Sequence, residues 1–235
     1  MPLSHEEKSR YERHTIVPGF GEAEQEKLRN ARVLVIGAGG LGSAVLHYLA
    51  AAGIGCIGIV EFDSVTHSNL QRQILYTTHD LDNPKVEIAA ERLMAINPYS
   101  RIITFGVRLT EENAEEIFDD FDLVMDCTDN YATRYIIDRT CEKLSLPMIY
   151  GTAQEAEGQV GIFHAGGAGS YTSLYPEEER QPDDIPVGVI SPMPGIVGSI
   201  QAMEAIKLIT GYGETLTGRL LTFDAKTMDF KVFNL

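Results

Sequence analysis

Tryptophan is absent from the 235 residues, and cysteine is scarce: Cys56, Cys127 and Cys141 are the only thiols. Three scattered cysteines exclude a disulfide framework. Basic residues are few as well. Nineteen Lys and Arg stand against 34 Asp and Glu, a net charge of −15, which opposes nonspecific binding to nucleic acid or to an anionic membrane surface. Against that background, a cationic cluster inside a cleft is a purposeful feature. No apolar run reaches the length of a membrane-spanning helix. The opening Met1-Pro2-Leu3-Ser4-His5-Glu6-Glu7 lacks the basic-then-apolar order of a signal peptide. These absences predict a soluble, cytoplasmic protein. Internal repeats and low-complexity tracts are also missing.

What is present is enough apolar residue, 44% of the chain, to bury a sizeable core. The chain is organised around Val33-Leu34-Val35-Ile36-Gly37-Ala38-Gly39-Gly40-Leu41-Gly42. Four apolar residues, three of them β-branched, read as a buried parallel strand. Gly37, Gly39 and Gly42 follow in G-x-G-x-x-G spacing. The alanine-rich run Leu41–Ala52 then reads as a helix closed by Gly53. Strand, glycine turn and helix N-terminus together make a phosphate-binding context, because the glycines admit close approach and the helix supplies free N–H groups.

Before it, Ser4–Tyr11 reads as a short helix capped by Ser4 with Glu7 three residues on, and Glu22–Asn30 as a second. After it, Cys56–Asp63 reads as a strand ending in two carboxylates, Glu61 and Asp63. Helices are expected over Lys85–Ile96, Glu111–Phe118 and Tyr131–Leu144. Strands are expected over Arg101–Val107, Asp122–Cys127 and Leu146–Tyr150. That alternation predicts a Rossmann-like α/β fold with a doubly wound parallel sheet, whose ligand crevice lies at the C-terminal strand ends. From Gly151 the rhythm changes. Gln159–Ala165 reads as an exposed strand, Gly166–Pro186 as a long polar loop, Gly195–Thr210 as a helix, and Arg219–Asp224 with Asp229–Phe233 as an antiparallel pair. One domain over residues 1–235 is expected, with a helical arm (1–30), a nucleotide-binding half (31–150) and a half (151–235) that extends the sheet with antiparallel strands.

The glycine motif alone most often means a dinucleotide cofactor. Here Arg72 and Lys85 instead offer cations at strand ends, with Asp129 opposite. Arg and Lys clamp a polyphosphate and an Asp at a loop tip can hold Mg²⁺, which suits attack on phosphorus. Cys56, Cys127 and Cys141 read as buried core residues. His14, His47, His67, His79 and His164 lack metal-ligand spacing and read as surface or satisfied core. Acidic runs at Glu111–Glu116 and Glu177–Glu179 read as solvated faces.

The same residues carry a resemblance. Gly37-Ala38-Gly39-Gly40-Leu41-Gly42, Ser68-Asn69-Leu70-Gln71-Arg72-Gln73, Pro84-Lys85-Val86, Asp126-Cys127-Thr128-Asp129-Asn130 and the segment from Gly198 to Lys207 resemble, in order, the motifs of the ThiF/MoeB/HesA family. Arg10-Tyr11-Glu12-Arg13 resembles the family's N-terminal motif. These are bacterial relatives of ubiquitin-activating enzymes. The resemblance implies adenylation of the C-terminal Gly-Gly carboxylate of a small ubiquitin-like sulfur-carrier protein by ATP with Mg²⁺, releasing pyrophosphate and preparing thiocarboxylate formation, with 151–235, including the loop 166–186, as the carrier-binding half.

Carried over by motif, the nucleotide site comprises Gly37, Gly39, Gly40, Gly42, Glu61, Asp63, Ser68, Asn69, Arg72, Gln73, Lys85, Asp129 and Asn130. Gly40 meets the phosphates, and Glu61, where many relatives have Asp, the ribose. Asn69, Arg72 and Lys85 bind phosphates, and Asp129 holds Mg²⁺. Arg13 reaches the neighbouring subunit's nucleotide in a homodimer, so the catalytic set is Arg13, Arg72, Lys85 and Asp129.

Two departures are informative. Ser170-Tyr171-Thr172-Ser173 stands where many relatives have the first of two zinc-binding C-x-x-C pairs, and no second pair is present, so no structural zinc is expected. No cysteine follows Cys141. The loop Asp183-Asp184-Ile185-Pro186 has none where thioester-forming relatives do. Adenylation without a covalent carrier–enzyme intermediate is therefore expected, with sulfur delivered by another protein. The competing readings are activation of a carboxylate on a modified tRNA nucleoside, a non-catalytic carrier-binding homologue, and a nicotinamide-dependent oxidoreductase.

Overall fold

The computed structural model describes residues 2–179 and 187–235. In chain order the elements are α1 (His5–Arg10), α2 (Glu12–Thr15), α3 (Glu22–Asn30), β1 (Arg32–Ile36), α4 (Gly40–Ala52), β2 (Cys56–Val60), α5 (Lys85–Ile96), β3 (Arg101–Phe105) and α6 (Glu111–Phe118). They continue with β4 (Leu123–Asp126), α7 (Tyr131–Leu144), β5 (Met148–Gln154), β6 (Glu157–Phe163), α8 (Tyr171–Leu174), α9 (Met193–Thr210), β7 (Arg219–Asp224) and β8 (Asp229–Asn234).

The strands form one eight-stranded sheet in the order β3-β2-β1-β4-β5-β6-β7-β8. The first five run parallel and the last three antiparallel, as the alternation and its change at Gly151 predict. Strand order reverses between β1 and β4, so a crevice opens above their C-terminal ends.

Alternation along the strands divides the core. Val33, Val35, Ile57, Ile59 and Met125 face one way, against Leu46 and Leu49 of α4, Leu93 of α5 and Val197 of α9. Leu34, Ile36, Val124 and Met148 face the other way, against Ile117 and Phe118 of α6 and Tyr135 and Cys141 of α7. Helix α9 lies directly on α4. A methyl group on Gly198 would stand 2.6 Å from the Leu41 carbonyl oxygen, so only glycine allows this approach. Gln201 of α9 then donates to the carbonyls of Asp126 (2.8 Å) and Ile149 (3.2 Å), fastening α9 to the ends of β4 and β5.

Several expectations are corrected. Strand β3, expected to reach Val107, ends at Phe105, its last residue paired with β2, and β5, expected over Leu146–Tyr150, runs over Met148–Gln154 because its second half pairs with β6. Strand β2 stops at Val60 rather than Asp63, because the Glu61 carboxylate accepts the Phe62 and Asp63 N–H groups (2.9 Å each) and turns the chain. The strand expected at 159–165 runs over 157–163. It is buried between β5 and β7 rather than exposed, and its glycines at 158 and 161 fit where Phe223 and Leu220 cross it. The loop expected over 166–186 contains α8 and a 3₁₀ turn at Glu177–Glu179, and residues 180–186 lie outside the described part.

Candidate active site

The turn after β1 occupies the switch point. Gly37 has φ +93°, and a methyl group there would sit 2.8 Å from the Cys127 carbonyl oxygen, so the turns after β1 and β4 touch through glycine. Gly39 precedes α4 with no side chain capping it, which leaves the first N–H groups of α4 pointing into the crevice. A methyl on Gly42 would strike the Gly37 carbonyl, so the third glycine lets the helix start this close to the strand.

Ala38, in the middle of the turn, is held at both polar groups. Its N–H donates to Glu61 Oε2 (3.0 Å), and its carbonyl accepts from the buried Tyr76 hydroxyl (2.8 Å). Burial pushes the Tyr76 phenol far above its ordinary range, with the nearby Glu61 charge adding to it, so it stays a donor. Glu61 is thereby placed beside the turn, nearly buried, with three backbone N–H groups on its carboxylate.

The cations arrive from two elements. Lys85 opens α5 with its side chain 5% exposed and its Nζ 3.4 Å from Asp63 Oδ2, while its N–H donates to the Asp63 carbonyl (2.9 Å). The 3₁₀ turn His67–Asn69 leads to Arg72, and the Asn69 carbonyl accepts the Arg72 and Gln73 N–H groups (3.1 and 2.9 Å). Arg72 Nη1 donates to the Ser68 carbonyl (3.0 Å). A methyl on Gly40 would meet Pro194 Cβ at 2.9 Å and Arg72 Cγ at 3.6 Å, and one on Gly39 would meet Gln73 Nε2 at 3.5 Å. Arg72, Gln73 and the start of α9 therefore ring the glycine turn. Gln73 Oε1 is buried with no hydrogen-bond partner among the described residues.

Asp129 stands exposed on the turn from β4 into α7. Asn130, expected at the nucleotide, caps α7 by accepting the Thr133 N–H (2.9 Å). Arg13 is not brought to this site within one chain. Tyr11, two residues before it, sits at the far end of α4, where its hydroxyl accepts from Asn97 Nδ2 (2.8 Å) and abuts Gly53. The 13 residues of α4 span roughly 20 Å between that end and the glycine turn.

Sequence reasoning assigns no role to three further positions. Tyr76 leaves no signal, because its partner is a backbone carbonyl 38 residues away. Asp126 and Arg134 form a buried ion pair beneath the Asp129 turn. A carboxylate closing an apolar strand is the available sign of it.

The cysteines are core residues, as expected. All three are free and buried, and burial pushes the thiols of Cys127 and Cys141 well above their ordinary range. Three histidines sit in ordinary hydrogen bonds: His14 with Gln25 Oε1, His47 with the Ser43 carbonyl, and His164 with Asp138. Ser170–Ser173 forms the capped start of α8, held by Asp138 through the Tyr171 and Thr172 N–H groups and the Thr172 hydroxyl.

The ThiF family model matches residues 11–235. The chain belongs to the ThiF family. Across 98% of its length it is 44% identical to the sulfur carrier protein adenylyltransferase of Thermus thermophilus, of which it covers 88%. Across all of its length it is 43% identical to the molybdopterin-synthase adenylyltransferase of Haemophilus influenzae, of which it covers 98%. It also matches a probable adenylyltransferase/sulfurtransferase, MoeZ, of Mycobacterium tuberculosis at 45% identity, but spans only 61% of that protein. Among solved structures, E. coli MccB with MccA-N7isoASN superposes with a TM-score of 0.87 over 99% of this chain and 72% of that one. At 21% identity, that likeness shows the shared fold. No helix among the described residues is long and apolar enough to cross a membrane.

Proposed function

We propose that this ThiF-family chain adenylates the C-terminal Gly-Gly carboxylate of a small ubiquitin-like sulfur-carrier protein. The observation that supports it most is the convergence at the β1/β4 switch point. A glycine turn, an uncapped helix N-terminus, Arg72 and Lys85 meet there, with Asp129 opposite on the β4 turn. In a chain of net charge −15, that concentration of positive potential fits a triphosphate.

On this reading the amides of α4 and Lys85 hold the phosphates, and Arg72 neutralises the charge that builds on the departing pyrophosphate. Glu61 sits at the strand end where ribose hydroxyls are met. The chain offers one exposed carboxylate at the turn, Asp129, which fits Mg²⁺, an ion that takes one or two protein carboxylates alongside phosphate oxygens and water. When bound, Mg²⁺ screens phosphate charge and makes the α-phosphorus more open to attack. The carrier carboxylate attacks that phosphorus, an acyl-adenylate forms, and pyrophosphate leaves. Arg13, remote from its own crevice, serves the site of a second copy in a homodimer.

The reaction stops at the adenylate. Every cysteine in the chain is buried, and none is available to capture the acyl group. A separate protein supplies sulfur.

ATP–pyrophosphate exchange tests the reading. Exchange is expected only with a Gly-Gly-tailed carrier, to vanish when the last glycine is deleted, and to fall by about 10³-fold or more in Asp129→Ala. Full exchange in Asp129→Ala would remove the metal assignment. ATP turnover on tRNA without any carrier would replace the substrate.

A further inference from the structure

Directly beneath the turn that bears Asp129 lies an ion pair that the proposed chemistry leaves unused. Asp126, the last residue of β4, is fully buried. Its Oδ1 accepts both the N–H (3.0 Å) and the hydroxyl (2.6 Å) of Thr128. Its Oδ2 lies 3.5 Å from Nε of Arg134, whose side chain is 6% exposed. Arg134 Nη2 donates to the Thr128 carbonyl (2.8 Å) and to the Thr152 hydroxyl on β5 (3.2 Å). The guanidinium also stands over the Tyr150 ring, 5.3 Å from its centre. Every polar group of Thr128 is thus held by this pair. Asp129 is the next residue, and Asn130 after it is fixed as the cap of α7.

Stability does not account for the arrangement. A buried ion pair gains little over well-packed apolar residues, because desolvation offsets the attraction. This one is also incompletely bonded: Asp126 Oδ2 and Arg134 Nε have no hydrogen-bond partner among the described residues. What it does achieve is geometric. On one side of Asp129, Thr128 is gripped at its N–H, hydroxyl and carbonyl. On the other side, Asn130 is gripped by its capping bond to the Thr133 N–H.

We propose that Asp126 and Arg134 are positioning residues that aim the Asp129 carboxylate into the nucleotide crevice. The part assigned to the aimed carboxylate rests on the adenylation reading, whereas the grip on the turn does not. Neither residue touches substrate. Loosening the pair lets the 128–130 turn sample other orientations, and the cation site weakens without loss of the fold. Arg134→Lys keeps the charge but loses the forked donors that span Thr128 and Thr152. Asp126→Asn keeps the shape but loses the charge.

Two measurements test this. The first is the Mg²⁺ dependence of carrier-stimulated ATP–pyrophosphate exchange. In Arg134→Lys and Asp126→Asn, half-saturation by Mg²⁺ is expected to rise about tenfold or more, with kcat lowered and the KM for ATP at saturating Mg²⁺ changed by less than about threefold. Combining either variant with Asp129→Ala is expected to add no further loss, since all three changes remove one function. The second is amide hydrogen exchange without nucleotide, in which faster exchange is expected at residues 128–130 alone. If a single variant fails to fold, the neutral, volume-matched pair Asp126→Asn/Arg134→Met takes its place.

Unchanged Mg²⁺ half-saturation together with unchanged exchange at 128–130 would overturn the proposal. So would activity lost only in proportion to the unfolded fraction. If the unmodified protein shows no carrier-dependent exchange, the adenylation reading falls. Amide exchange at 128–130 then still decides whether the pair holds the turn.

Discussion

At the scale of single residues, the crevice depends on a few backbone groups and on what holds them. Ala38 is the clearest case, with its N–H on Glu61 and its carbonyl on Tyr76. Tyr76→Phe removes one hydroxyl and leaves a buried carbonyl unpaired, which costs about 1–3 kcal/mol. We expect a lower Tm by thermal unfolding and an ATP KM raised several-fold in steady-state assays, because Ala38 in the phosphate-facing turn loses one of its two ties. Gly42→Ala is expected to be worse. Its methyl would strike the Gly37 carbonyl, so the turn must open, and nucleotide binding by calorimetry should fall below detection even where the protein remains folded. The glycines are legible in sequence because their spacing is dictated by local geometry: a positive φ at Gly37 and close approach at Gly42. Tyr76 and the Asp126–Arg134 pair are not. Their partners are main-chain or side-chain groups brought close only by the fold, and such pairings leave no period in the chain.

Among elements, α7 does two jobs. Its first turn fixes the Asp129 loop, and its middle carries Asp138, which orders the segment from His164 to Tyr175. The Asp138 carboxylate accepts from His164 Nε2 (2.6 Å), the Tyr171 N–H (2.8 Å), the Thr172 N–H (3.0 Å) and the Thr172 hydroxyl (2.5 Å). Burial alone would raise its pKa, but these donors outweigh burial and hold it below the ordinary carboxylate value. A depressed folded pKa stabilises the protein fully above the unfolded value, near ~4. That contribution drains away as the pH falls through the folded value. We therefore expect acid to release residues 164–175 before the parallel strands, read as early loss of amide protection there. Asp138→Asn is expected to lower Tm at neutral pH by roughly 4–8 °C, an effect of about 2 kcal/mol, and to flatten the acid limb of the stability profile.

Element boundaries are readable where apolar runs and caps coincide, as at Ser4 before α1 in the helical arm and Gly53 after α4 in the nucleotide half. Strand β6 reads as exposed and is not. Its glycines and Gln159 resemble surface sequence, yet Gly158 is there to admit Phe223 and Val197 against the sheet. Glycine chosen for packing cannot be told from glycine chosen for a turn until the neighbouring element is in place.

For the whole molecule, the question is how a site built on one chain is completed. Arg13 lies at the opposite end of α4 from the crevice, so it contributes across a subunit boundary or not at all. Arg13→Ala and Asp129→Ala should each be inactive alone. Mixed, unfolded and refolded together, they should regain activity at about a quarter of the unmodified level, since half of the dimers are mixed and each holds one intact site. No regain on mixing would place Arg13 outside the reaction. The strong negative charge is legible as an argument about partners. A trans role for Arg13 is implied only by the family resemblance, because nothing in its local sequence distinguishes it from a surface charge.

Adenylation requires that a carrier's terminal carboxylate oxygen become bonded to the α-phosphorus of ATP. It is tested most directly by labelling that carboxylate with ¹⁸O, allowing the protein to act with MgATP, and releasing the carrier with hydroxylamine. The expected products are AMP bearing one ¹⁸O atom and unlabelled pyrophosphate. AMP free of label, or ADP and phosphate in its place, would contradict it.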